Sequence, residues 1–163
     1  MSLTQPRFSF GKSRGFTLVE IMVVIVIIGL LAALAIPAIR RNQLASKSTR
    51  VINDFRVFVQ AFEIYNTQNG SWPESAAPGV MPNLPAAITD TLKAGSWQAA
   101  TTVGGLWQWD NQLSTGGNAG VCIIGFTSSD EQLQQIDAKL DDGNLTTGNF
   151  QRTSATRLIY ILE

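Results

Sequence analysis

The chain contains no histidine and only one cysteine, Cys122, in 163 residues. Without histidine it lacks the side chain that most often moves protons near neutral pH and most often ligates transition metals. A single cysteine excludes an intrachain disulfide and every CxxC redox or zinc motif. Its setting, Val121-Cys122-Ile123-Ile124, predicts a buried, inert thiol. Glycine pairs occur at Gly104-Gly105 and Gly116-Gly117, but both lack the strand-to-helix context and Lys-Ser/Thr partner of a phosphate-cradling loop. No serine stands beside a plausible base. The expectation is a protein without catalytic chemistry.

Charge is scarce and unevenly spread. Twelve cations balance twelve acids, and no basic patch of the kind nucleic acid requires is present, so no nucleic-acid partner is expected. Residues 1–14 carry Arg7, Lys12 and Arg14 and no acid, and Ile21 to Ile36 carry no charge. Phe16 to Ile36 is 21 residues, the length a helix needs to cross a bilayer core of roughly 30 Å. One carboxylate, Glu20, stands near the start of that run. An ionised side chain in hydrocarbon costs roughly 2.5–3.5 kcal/mol at mid-depth and less near the edge, so Glu20 requires an explanation.

Two ordinary readings account for part of this stretch. A secretory signal cleaved after Ala33-Leu34-Ala35 would leave a soluble protein starting at Ile36. A plain signal anchor would be oriented by the three upstream cations. The first conflicts with a helical pattern that continues past Ile36. Neither explains Gly15-Phe16-Thr17-Leu18-Val19-Glu20.

The stretch Lys12-Ser13-Arg14-Gly15-Phe16-Thr17-Leu18-Val19-Glu20, followed by a 16-residue apolar tail, resembles the class III leader junction of type IV pilins and type II secretion pseudopilins. The resemblance covers roughly the first 55 residues. It implies cleavage of the Gly15–Phe16 bond by a prepilin peptidase and N-methylation of Phe16. It makes Glu20 the assembly residue and Pro37 the site of a helix kink. It also implies an α+β, type IV pilin-like fold: a long N-terminal spine helix packed on a small antiparallel sheet. The implied partners are further copies in a homo-oligomeric filament, related minor subunits, the prepilin peptidase/methyltransferase, an assembly platform in the inner membrane, and the lipid bilayer before assembly. The implied location is the inner membrane, single-pass, with the globular domain outside the cytoplasm.

Many type IV pilins close a C-terminal loop with a disulfide, which one cysteine cannot do, and this favours the pseudopilin branch. Removing the leader leaves 163 − 15 = 148 residues with nine cations and twelve acids, a charge near −3. Two other functions remain open. One is a type IV pilus subunit for adhesion, motility or DNA uptake. The other is a monomeric membrane-anchored binding domain with a ligand on the loop from Ser71 to Gly105.

The expected organisation is a leader (1–15), a membrane and filament-core half of the spine (16–36), an amphipathic half (37–69) and one small globular domain (70–163). Pro37 removes a backbone hydrogen bond at the membrane boundary, and Gly29 adds a second weak point. Beyond them Leu44, Ser48, Val51, Ile52, Phe55, Phe58, Val59, Phe62 and Tyr65 recur at three- and four-residue steps, one face of a helix running from Phe16 to Gln68 and stopped by Asn69-Gly70.

Prolines punctuate a loop from Ser71 to about Gly105, with a short helix from Pro85 to Ala94 that buries Ile88 and Leu92 and stops at Gly95. Ser96–Val103 and Leu106–Asp110 read as a hairpin around Gly104-Gly105. Gly120–Thr127 and Arg157–Leu162 read as further strands. Between them a helix from Asp130 to Leu140 has a capping box, Ser128 with Glu131, and a buried face of Leu133, Ile136 and Leu140.

Two clusters carry possible ligands. Asp137, Asp141, Asp142 and Asn144 surround Gly143, and hard oxygen donors are what calcium takes. Some major pseudopilins bind calcium in a C-terminal loop, so the resemblance supports the idea. Asp-Gly-Asn is also an ordinary turn, and the spacing is not that of an EF-hand, so the turn is the favoured reading. Trp97, Trp107 and Trp109 are either a sugar-stacking platform or core, and core is favoured.

Overall fold

The computed structural model of the chain describes residues 15–92, 94–112 and 117–163. The leader cations Arg7, Lys12 and Arg14 lie outside the described residues. The chain divides into two compact units, 1–41 and 42–163. Helix α1, Leu18–Asn69, starts two residues later than the sequence pattern predicts and ends one residue later. Gly70, with φ 68°, stops it by adopting the left-handed conformation, and its N–H returns to the Asn66 carbonyl at 2.7 Å.

The second unit is a four-stranded antiparallel sheet with the second half of α1 packed on one face. Strands β1 (Leu106–Asn111), β2 (Ala119–Ile124), β3 (Phe150–Ser154) and β4 (Arg157–Ile161) run in the order β1-β2-β4-β3. Helices α2 (Ala86–Leu92) and α3 (Ala94–Gln98) precede the sheet, and α4 (Asp130–Leu140) lies between β2 and β3. The α+β class expected from the sequence is the one observed.

Helix α1 buries Ser48, Val51, Ile52, Phe55, Phe58, Ala61 and Phe62. Leu44, expected on that face, is 46% exposed, because the buried face begins a turn later at Ser48. Alternation along β1 sends Trp107 and Trp109 toward the helix, and the rings interlock. Phe55 meets Trp107 edge-on at 4.8 Å, Phe58 meets Trp97 at 4.9 Å, and Phe62 stacks on Trp109 at 3.9 Å. Trp97, Trp107 and Trp109 are 0%, 1% and 0% exposed, which overturns the sugar-platform reading: no ring face is left for a glycan. Their indoles also hold the proline-rich loop. Trp109 Nε1 donates to the Pro73 carbonyl at 3.0 Å and Trp97 Nε1 to that of Val80 at 2.9 Å.

The expected strand over Ser96–Val103 is absent. Its start is helical, in α3, and the place beside β1 is taken by the loop: Ala76 N–H donates to the Trp109 carbonyl and Gly79 N–H to that of Trp107. Gly104 and Gly105, both with positive φ, close a local turn back to Thr101 rather than a hairpin. Gly95 lies inside α3 and does not terminate a helix, although Ile88 and Leu92 are buried as expected. Strand β2 stops at Ile124, short of Thr127, because Gly125 turns away at φ 81°. Strand β3 was not anticipated, since Phe-Gln-Arg-Thr-Ser presents one apolar side chain and lies at a sheet edge with a bulge between Arg152 and Ser154.

Helix α4 occupies the span read from the sequence, but its cap is Ser129, whose side chain accepts from Gln132 N–H. Ser128 instead donates to the Val103 carbonyl at 3.1 Å. Leu133 and Ile136 are buried as expected, Leu140 is half-buried, and Gln132 and Asp137 are buried as well.

Cys122 is fully buried on β2, and burial pushes its thiol up to about 11, so it stays protonated and inert as expected. On that same sheet face Arg157 of β4 reaches across Cys122 to Asp110 of β1 at 2.5 Å, and Ser75 and Gln112 also donate to Asp110. Arg157→Ala would leave the buried Asp110 carboxylate without its cation. The expected cost is about 3 kcal/mol, at the low end for a broken buried pair because the arginine side chain is 26% exposed. Thermal unfolding of the detergent-solubilised protein measures it; a change under 1 kcal/mol would mean the pair is effectively solvated.

Candidate functional site

The residues around the expected processing point form the start of α1. Gly15 is exposed and precedes the helix, and a Cβ added there would meet nothing within 4 Å. Nothing in the described fold demands glycine at this position. Phe16 is 75% exposed. Thr17 caps the helix: its Oγ1 accepts from Glu20 N–H at 3.2 Å and its carbonyl from Ile21 N–H at 3.3 Å. Thr17-Leu18-Val19-Glu20 has the T-x-x-E spacing of a capping box, a signal legible in the sequence itself. An acid in the first turn also suits the helix dipole. These local effects favour an acid at that position at a water-exposed helix start. They do not offset its burial in oil.

Glu20 has no ion pair among the described residues. The large apolar side chains around and beyond it, from Leu18 to Ile36, are 44–77% exposed around the whole circumference. A helix apolar on every side is stable only where lipid or other helices cover it. Among the described residues α1 is the one helix long and apolar enough to cross a membrane. It continues through Pro37, whose missing N–H leaves the Ala33 carbonyl without its usual partner.

The second candidate lies in the compact unit. Carboxylate oxygens of Asp137, Asp141 and Asp142 lie within 4.8 Å of one another. Asp142 accepts from Asn144 N–H at 2.8 Å and Thr147 Oγ1 at 2.6 Å, while Asp141 Oδ2 accepts from Asn149 N–H and from Phe150 N–H at 3.3 Å. Asn144 Oδ1 is turned to Thr146, accepting from its N–H and hydroxyl. The turn reading is therefore visible as a hydrogen-bonded loop around Gly143, φ 83°. Sequence reasoning had no means of seeing that Asp137, on α4, is fully buried with neither oxygen hydrogen-bonded.

Burial, with Asp142 and Asp141 adding repulsion against a partial offset from the nearby Gly143 N–H dipole, which falls short of hydrogen-bonding geometry, raises the Asp137 carboxyl to about 6. An acid whose pKa is higher in the folded chain than in the unfolded one costs stability as pH rises through that window. With metal chelated, Asp137→Asn is expected to match the parent near pH 4 and exceed it by about 1–2 kcal/mol at pH 7. Parallel thermal melts across that range test this; a difference that does not vary with pH would contradict it.

The prokaryotic N-terminal methylation motif matches residues 11–36, spanning Gly15, Phe16 and Glu20. This defines a prepilin-type N-terminus, and motif, relatives and helix-on-sheet fold together support a pseudopilin, type IV pilin-like family for the chain. Its relatives include type II secretion system core protein G of several bacteria. That of Escherichia coli K12 is 42% identical over 62 residues, covering 38% of this chain and 43% of the relative. Those of Klebsiella pneumoniae (40% over 62 residues, covering 38% and 44%) and Pseudomonas aeruginosa PAO1 (39% over 64 residues, covering 39% and 45%) are similar. The match spans less than half the length of each relative. No solved structure matches the chain.

Proposed function

We propose that the protein is a structural subunit of a type IV pilus-like filament, a pseudopilin of a type II secretion system. The observation that carries this reading is a lone carboxylate, Glu20, without an ion pair among the described residues, in the first turn of a helix with apolar side chains exposed on every side. A prepilin peptidase cuts between Gly15 and Phe16, an accessible bond whose glycine no internal contact requires. The new amine of Phe16 is methylated, and the subunit waits in the inner membrane, its compact domain on the extracytoplasmic side. During assembly Glu20 of the incoming subunit meets the Phe16 amine of a neighbour. In low dielectric the two charges prefer each other strongly to lipid, and only a correctly staggered neighbour supplies the partner. The pairing sets register more than it adds stability. Packing along Ile21–Ile36 supplies most of the cohesion, and Pro37 loosens the helix where it leaves that packed zone.

The names of the relatives favour secretion over an adhesive or motile pilus. Related minor subunits and an inner-membrane assembly platform complete the set of partners, and the protein's own role is mechanical rather than catalytic. N-terminal mass spectrometry of the membrane-associated protein tests processing. The expected species begins at N-methyl-Phe16. A mature chain starting at Ile36, or an intact leader, would refute it.

We further propose that the compact domain holds calcium at Asp137, Asp141 and Asp142. The fit rests on Asp137, a buried carboxylate with two unpartnered oxygens beside two further acids, a donor set suited to a hard divalent ion. Bound calcium would supply the counter-charge that Asp137 lacks. Its expected effect is a gain of roughly 2.7 kcal/mol at a hundredfold excess over the dissociation constant. Calorimetry and thermal melts with calcium and with chelator check this, and no heat and no shift would retire the site. The gain is expected to vanish in Asp137→Asn.

A further inference from the structure

The segment between Ile36 and the compact domain carries a charge pattern that neither processing nor the Glu20 contact uses. From Ile21 to Asn53 there is no acid, and the first charges after the apolar run are adjacent arginines, Arg40 and Arg41. Both are exposed on α1, and neither has an ion pair among the described residues. Cations on the outgoing side of a single span run against the positive-inside bias, so their presence needs a compensating contact.

Their depth indicates which one. Leu18 to Ile36 spans about 28 Å of helix, close to the thickness of the hydrocarbon core. Arg40 and Arg41 follow Ile36 by four and five residues, about 6 to 7.5 Å further along the axis. The headgroup layer on each side of the core is roughly 5 to 7 Å thick. Lys47 and Arg50 fall well beyond it, separated from the membrane surface by more than a Debye length of about 8 Å. Only the arginine pair lies at phosphate level. Guanidinium groups also match phosphate oxygens bidentately, which an ammonium group does not.

We propose that Arg40 and Arg41 form a docking site for anionic phospholipid headgroups in the extracytoplasmic leaflet, fixing the depth of the unassembled subunit and setting a contact that must be released when it leaves the membrane. This requires that α1 span the bilayer and does not require that the subunit form a filament.

The test uses the full-length chain reconstituted in bilayers, with spin-labelled phosphatidylglycerol and phosphatidylcholine compared for association with the protein. At low salt the parent is expected to favour phosphatidylglycerol by roughly ten- to thirtyfold. The R40Q/R41Q double variant is expected to lower that ratio severalfold, to the remainder left by the leader cations Arg7, Lys12 and Arg14 at the opposite leaflet, and R40K/R41K to keep much of it. Inorganic phosphate at matched ionic strength is expected to compete no better than chloride. A ratio near one in the parent, or one unchanged in R40Q/R41Q, would overturn the proposal. So would an R40Q/R41Q protein that keeps its lipid preference but fails to form fibres, which would assign the arginines to acids on a neighbouring subunit. Cleavage before Phe16, read by mass spectrometry on the same samples, reports separately on processing.

Discussion

Glu20→Gln protein is expected to reach the membrane in normal amount and yet give almost no fibres. Insertion depends on the apolar length from Phe16 to Ile36, and replacing one acid near its edge with a neutral amide eases that step. Assembly depends on what each subunit brings to its neighbour. With glutamine in place, the cationic amine of Phe16 enters a packed, low-dielectric core without a counter-charge. Removing one partner of a buried pair costs about 3–5 kcal/mol, on the order of a hundred- to several thousandfold in subunit affinity. Fibre yield on shearing, compared with membrane-pool protein on the same blot, reads the split directly. The local role of Glu20 in the T-x-x-E cap is a competing explanation, and Thr17→Ala separates the two. Losing that cap costs only about 1 kcal/mol and is expected to leave fibres. Equal loss from both substitutions would make the helix start, rather than the charge, the essential feature.

The second large effect belongs to the compact domain. Phe55 is fully buried and touches Trp107, Phe150 and Tyr160, so it joins the spine helix to strands β1, β3 and β4 at one point. Phe55→Ala is expected to cost about 3–5 kcal/mol, on the order of 10–20 °C in melting temperature for a domain of this size. The same variant is still expected to be cleaved before Phe16, since the matched motif ends at Ile36. A shift of only a few degrees would mean that the aromatic cluster repacks around the gap.

These contrasts follow what could be read from the chain. The apolar run, the Gly15–Glu20 junction and the α1 face from Ser48 to Phe62 were legible because each is a local pattern with its own period or spacing. Helix α4 was legible for the same reason, although the S-x-x-E spacing pointed to Ser128 as its cap while the cap is Ser129 and Ser128 is bonded to Val103. What failed depended on partners distant in sequence. Gly104-Gly105 marked a turn, but nothing local revealed that residues 76–79 already lie against β1 or that Trp97 enters the core from a helix. Strand β3 is held by pairing with β4 rather than by its own side chains, and so left little trace. At the acidic loop the four residues were visible, but their ranking was not. Asn144 and Asp142 are engaged within the turn, while burial singles out Asp137.

A structure of the purified fibre at side-chain resolution tests the central claim most directly. The expected result is the Glu20 carboxylate within ion-pair distance of the methylated Phe16 amine of an adjacent subunit, enclosed by the apolar side chains of Ile21–Ile36. Glu20 facing water, or enclosed with no cation beside it, would contradict the account.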